Sequence, residues 1–114
     1  VKGRHIVYRL TVLYPPPADP QHFRKYYVEH HLPLAAQLPG LRAMRYGFDL
    51  ATFDGPSPYF AIWEGEFDSA DAVADAMGSP QGRAVAEDVP NYATGGAHIV
   101  HYATISPPVQ DNMP

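Results

Sequence analysis

The sequence predicts an α+β domain of order β-α-β-β-α-β, a four-stranded antiparallel sheet with its helices on one face. Three observations carry this expectation. Residues 5–14 alternate with a period of two, and residues 23–34 place aromatic and apolar side chains at spacings of three and four. Proline- and glycine-rich turns cut the rest of the chain into strand-sized and helix-sized pieces.

In the first strand, Ile6, Tyr8, Leu10, Val12 and Tyr14 form one apolar face, and Val7, Arg9, Thr11 and Leu13 form the other. Pro15-Pro16-Pro17 ends it, because proline cannot donate to a ladder. Asp19-Pro20 reads as an N-cap followed by proline at the first helical position. Phe23, Tyr26, Tyr27, His30, His31 and Leu34 then make a helical stripe. Pro33 lacks the N–H that would bond to the Glu29 carbonyl, at a cost of about 3 kcal/mol unless the helix kinks or ends there. Leu41–Leu50 is a second strand, and Asp54-Gly55-Pro56-Ser57-Pro58 is a turn. Tyr59–Phe67 is a third strand, with Tyr59, Ala61, Trp63, Gly65 and Phe67 on one side and Phe60, Ile62, Glu64 and Glu66 on the other. Ser69 caps a helix packing Ala70, Val73, Ala74 and Met77, and Ser79-Pro80 starts another that runs to about Asp88. Ala97–Ile105 is a fourth strand. Residues 1–105 are read as one domain, and 106–114 as a polar, proline-containing tail.

Composition narrows the function classes. At 114 residues the chain holds one core, and 46% hydrophobic against 18% charged residues is a globular balance. The net charge is −4 and no basic cluster exceeds Arg24-Lys25, which argues against nucleic acid and anionic membranes as partners. The longest apolar run, Tyr59–Trp63, is too short to span a bilayer, and no apolar signal region follows the N-terminus. There is no cysteine, so disulfides, thiolate nucleophiles and Cys-ligated metals are out, and a cytoplasmic location is expected. Eight Tyr, five Phe and one Trp exceed what so small a core needs, so some should line a cavity or an interface. The helix-free sheet face carries Leu13, Phe60 and Ile62 beside Arg9, Thr11, Glu64 and Glu66, and a face-to-face homodimer would cover it. Arg9 is expected to pair with Glu64 or Glu66 across strands.

His31 is the leading catalytic candidate. It lies on the apolar helix face beside the Pro33 break, where burial would keep its imidazole neutral and basic. It would move a proton to and from a small molecule. The alternative is a core histidine with both nitrogens bonded. Tyr27, one turn away, would orient His31 or donate to a substrate oxygen. Tyr14, Phe23, Tyr59 and Trp63 are the candidate substrate-binding residues, though each also reads as core. His98 and His101 are three apart in a strand and point to opposite faces; His30 and His31 are adjacent in a helix, about 100° apart. Neither pair suits a shared ion, so no metal site is called. No Ser-His-Asp order, Walker motif or Rossmann fingerprint occurs.

Several segments in order carry a resemblance: Leu13-Tyr14-Pro15, Phe23 with Tyr27, His31-Leu32-Pro33-Leu34-Ala35, Leu38-Pro39-Gly40, Asp54-Gly55-Pro56-Ser57-Pro58-Tyr59, Phe67-Asp68-Ser69, Ser79-Pro80-Gln81-Gly82 and Ala93-Thr94-Gly95-Gly96. With them the chain resembles the EthD family of dimeric α+β barrel proteins from about His5 to Ile105. The resemblance implies a ferredoxin-like fold and a homodimer. It also implies a small-molecule oxidoreductase, isomerase or cyclase of a catabolic or secondary-metabolic pathway. Related barrels work without cofactors on quinone, lactone or phenol-like compounds, and others bind haem. The reading is therefore a cofactor-independent enzyme with His31 as general acid/base. The alternatives are a ligand-binding accessory protein of an oxygenase system, and haem ligation by one histidine.

Overall fold

The computed structural model describes residues 5–110. Residues 1–4 of the predicted domain and 111–114 of the predicted tail lie outside the described residues, and 107–110 have no regular structure. The strands are β1 (His5–Tyr14), β2 (Ala43–Phe48), β3 (Ala61–Phe67) and β4 (His98–Ser106). The helices are α1 (Pro20–Tyr26), α2 (Leu32–Ala35), α3 (Ala70–Gly78) and α4 (Pro80–Asp88). A π-helical turn, Tyr27–His31, joins α1 to α2, and a 3-10 turn, Val89–Asn91, follows α4. The strands form one antiparallel sheet of order β2-β3-β1-β4, the predicted topology.

The helix starts follow the caps in the sequence. The Asp19 carboxylate accepts from the His22 N–H at 3.1 Å, the Ser69 hydroxyl from Ala72 N–H at 3.0 Å, and the Ser79 hydroxyl from Gly82 N–H at 3.1 Å. Pro33 neither ends nor sharply breaks its helix. The chain widens by one residue ahead of it, so Leu32 N–H donates to the Tyr27 carbonyl, five residues back. In that register the carbonyl that the proline ring would crowd is moved aside.

Two strand expectations are corrected. The second strand is shorter than Leu41–Leu50, and the third begins at Ala61 rather than Tyr59. Phe60 still donates its N–H to the Tyr14 carbonyl at 2.7 Å, but its ring lies on the helix side, 5.1 Å from Phe23 and 5.8 Å from Phe48. The alternation fails there because burying an aromatic ring, capped by the Arg24 guanidinium at 5.0 Å, outweighs strand periodicity. In α3 the buried residues are Val73 and Ala76, whereas Ala70 and Ala74 are exposed.

The register assigns the two faces. Leu10, Tyr14, Ala61, Trp63, Gly65 and Phe67 are buried under the helices. Val7, Arg9, Leu13, Ile62, Glu64, Val100 and Tyr102 belong to the helix-free face. There Arg9 reaches Glu66 at 3.4 Å, and Arg45 reaches Glu66 at 2.5 Å and Glu64 at 3.4 Å, so the expected cross-strand pairing extends over three strands. Gly65 is required by its neighbour: a Cβ there would sit 2.4 Å from Cη2 of Trp63, whose indole lies over the glycine. Gly65→Ala is expected to destabilise the domain by about 1–3 kcal/mol. Because Trp63 is the single tryptophan, a shifted fluorescence emission maximum should accompany a lower urea midpoint. Unchanged emission and midpoint would contradict this packing.

Candidate functional site

The π turn places Tyr27 and His31 on one face, ring over ring at 5.3 Å with 23° between planes. Both are buried, His31 to 3% exposure. His31 also packs on Tyr92 at 4.6 Å. Its Nδ1 lies 2.9 Å from Oδ2 of Asp88, the last residue of α4. The other oxygen, Oδ1, accepts from the Tyr26 hydroxyl at 2.6 Å and from the Asn91 side-chain amide at 2.9 Å. Three donors from three elements thus meet one buried carboxylate. Burial pushes the Asp88 carboxyl up, but its hydrogen bonds outweigh this and hold it below its ordinary 3.8. An ionised carboxylate has no proton to give, so the network assigns the shared proton to His31: Nδ1–H donates to Asp88 Oδ2. Burial pushes the His31 pKa below its ordinary 6.5, against the opposing pull of Asp88. At neutral pH the site holds a neutral imidazole oriented by an anionic aspartate.

The remaining nitrogen, His31 Nε2, has no hydrogen-bond partner among the described residues. His31 lines a cavity of about 50 Å³ between the sheet and the helices, walled otherwise by Tyr14, Trp63, Met77, Ile99 and aliphatic side chains. Among the described residues no Lys, Arg, Asp or Glu lines it. The Tyr14 hydroxyl is 2.8 Å from that of Tyr92. Burial raises the pKa of both phenols and keeps them protonated.

Of the six residues singled out from sequence, the structure brings His31, Tyr14 and Trp63 to the cavity. Tyr27 and Phe23 lie outside the cavity wall, fully buried in an aromatic cluster with Tyr14, Tyr92 and Phe48. Among the described residues the buried Tyr27 hydroxyl has no hydrogen-bond partner, so it does not orient His31 through a bond; its contact with the imidazole is the stacked ring. Tyr59 is elsewhere: its hydroxyl is 3.2 Å from Nδ1 of His98, because the chain before β3 does not keep strand alternation. His98 and His101 lie on opposite faces of β4, as their spacing requires, with His101 Nδ1 2.6 Å from the Tyr8 hydroxyl. Among the described residues no three His, Cys, Asp or Glu side chains converge on an ion site. At about 50 Å³ the cavity as it stands does not fit a porphyrin.

Sequence reasoning missed Asp88, Asn91 and Tyr92. One signal was available for Asp88. A carboxylate at a helix C-terminus faces the negative end of the macrodipole and needs donors to hold it there.

Both members of the pair bind protons more readily in the unfolded chain, His31 below about 6.5 and Asp88 below about 3.8. Folding stability should therefore fall as pH drops from 7 towards 5, through His31, and fall further in the Asp88 range. In His31→Gln the upper slope should vanish, and parallel pH–stability curves for the two proteins would contradict the assignment. Asp88→Asn should cost about 1.5–3 kcal/mol at pH 7 in urea unfolding, the cost of losing hydrogen bonds to a charged group.

Comparison with known proteins gives a consistent picture. Residues 15–96 match the model of the EthD domain. A protein of Rhodococcus erythropolis described as an uncharacterized 11.0 kDa protein in the thcB-thcC intergenic region is 34% identical over 94 residues, covering 82% of this chain and 91% of its own. The crystal structure of an ethyl tert-butyl ether D family protein from Bacillus halodurans superposes with a TM-score of 0.78 at 27% identity, covering 84% of this chain and 96% of that one. A dimeric ferredoxin-like protein from Thermobifida fusca shares the fold, with a TM-score of 0.65 at 16% identity over 90% of this chain and 93% of that one.

Proposed function

We propose that this chain, which belongs to the EthD domain family, binds a small, largely apolar, oxygenated organic compound in the cavity beside His31 and transfers a proton to and from it. The observation that carries this reading is the buried His31–Asp88 pair, whose histidine lines an otherwise apolar cavity and keeps one ring nitrogen unbonded among the described residues. A structural histidine has both nitrogens bonded, whereas this one keeps one nitrogen without a partner. Asp88 fixes the tautomer and would stabilise the imidazolium formed when Nε2 takes a proton. Proton removal beside a carbonyl or from a hydroxyl is the step shared by isomerisation, cyclisation and cofactor-independent oxidation, and the reaction is placed in that group. Tyr14 and Trp63 shape the cavity, and Tyr27 and Phe23 support it from behind.

The working unit in this reading is a homodimer. Val100 and Tyr102 are 47% and 42% exposed on the helix-free face, beside Leu13 and Ile62, and fold neighbours are dimeric. Val100→Glu should convert a dimer to a monomer in sedimentation velocity; a wild-type monomer, or a variant that stays dimeric, would contradict the face-to-face arrangement.

The proton-transfer reading is tested with a thermal-shift screen of neutral quinones, lactones, ketones and phenols on wild type and His31→Ala. Compounds that raise the wild-type melting temperature but not that of the variant are expected, and turnover of any of them should fall at least a hundredfold in His31→Ala. Retained turnover in the variant would overturn the acid/base role and leave a ligand-binding accessory protein as the better reading.

A further inference from the structure

We infer that the ligand of this cavity is a neutral hydrogen-bond donor, a hydroxylated ring or an enol, which enters hydroxyl first and gives its proton to Nε2 of His31. The inference rests on the reading of the cavity as the binding site and narrows it to one class of compound. The geometry leaves one arrangement of protons on the imidazole. Asp88 accepts at Oδ1 from Tyr26 and Asn91, and at Oδ2 it accepts from His31 Nδ1 at 2.9 Å. Nε2 therefore carries a lone pair. A ketone, lactone, quinone or ether oxygen brought to it would set two lone pairs against each other in a low-dielectric space. A hydroxyl brings the proton the nitrogen lacks.

The rest of the wall supports the same class. The absence of lining cations leaves a carboxylate or phosphate without compensation for its lost hydration. The indole N–H of Trp63 is also buried without a partner, but it has no accessible surface, so a ligand meets Nε2 first. The Tyr14 and Tyr92 hydroxyls share one hydrogen bond, in which one donates to the other.

Volume decides how the ligand sits. At about 50 Å³ the cavity is about a third of the ~150 Å³ that holds a benzene ring. It takes the hydroxyl-bearing edge, and the rest of the molecule leaves past Ile99. That residue lines the cavity from edge strand β4, where it is 55% exposed. Met77, which lines the cavity from α3, is the adaptable side chain that yields to a ring. When the hydroxyl is the reacting group, its O–H bond breaks, the proton passes to Nε2, and the products are a phenolate or enolate and an imidazolium held by Asp88. The proton returns to oxygen or to carbon, so the step balances without a further reactant.

The test is 15N NMR of His31 in the wild-type protein, titrated separately with 4-methylphenol, its methyl ether 4-methylanisole, cyclohexanone and 4-methylbenzoate. Before addition, Nδ1 should show as protonated and Nε2 as unprotonated. 4-Methylphenol should move the Nε2 resonance and bind at least tenfold more tightly than the methyl ether, with cyclohexanone weaker and 4-methylbenzoate without effect. In Asp88→Asn, whose side-chain amide can donate to Nδ1, the tautomer should reverse and the preference for the phenol over cyclohexanone should disappear. If the ether or the ketone binds as well as the phenol while still moving the His31 signals, the donor class is wrong although the cavity is the site. If none of the four moves those signals, the cavity reading fails together with the inference.

Discussion

A carboxylate buried at the wrong end of a helix is the constraint around which this domain is arranged. Asp88 closes α4, where the peptide dipoles present their negative pole, and it is largely shielded from water. An anion in that position persists only if donors surround it. Tyr26 comes from α1, His31 from the π turn and Asn91 from the turn after α4. Each bond that satisfies the carboxylate also ties one of these elements to another. The first and second crossover segments are thereby held in a fixed relation, and a charge that would be a liability becomes the anchor of the site.

The π turn belongs to the same arrangement. One extra residue per turn accommodates Pro33 without ending the helix. It also brings Tyr27 and His31 to the same side, where the imidazole stacks on Tyr27 and packs at a tilt against Tyr92. The aromatic cluster behind them, with Phe23 near its centre, packs mostly edge to face and is buried from solvent. Burial favours the neutral histidine, and its Nδ1–H bond to Asp88 leaves the lone pair on Nε2. The chemistry of the cavity thus follows from packing as much as from the residues that line it.

The sheet serves the site by dividing its two faces between two tasks. Gly65 lets the Trp63 indole lie against its own strand under the helices. The opposite face combines a charged Arg9–Glu66–Arg45–Glu64 cluster with exposed apolar side chains on β4, a mixture suited to registering a partner surface rather than to solvent. Membership of the EthD family accounts for the fold but does not fix the chemistry of the His31–Asp88 pair and its cavity.

Alternation in β1, the Asp19, Ser69 and Ser79 caps and the proline-bounded turns were enough to determine the element order and the antiparallel sheet, because these signals are local and act within a few residues. The same locality made His31 legible beside Pro33. Tyr59 and Phe60 were misplaced because their direction is set by contacts with Phe23, Phe48 and His98, all distant in sequence. Tyr27 and Phe23 looked like site residues because a helical stripe does not distinguish the wall of a cavity from the packing behind it. Asp88 is 57 residues from His31, and no periodicity links them. Only the closing of α4 against the first crossover brought the two together, and the hydrogen bond from Nδ1 to Asp88 made in that contact decided which ring nitrogen keeps its lone pair.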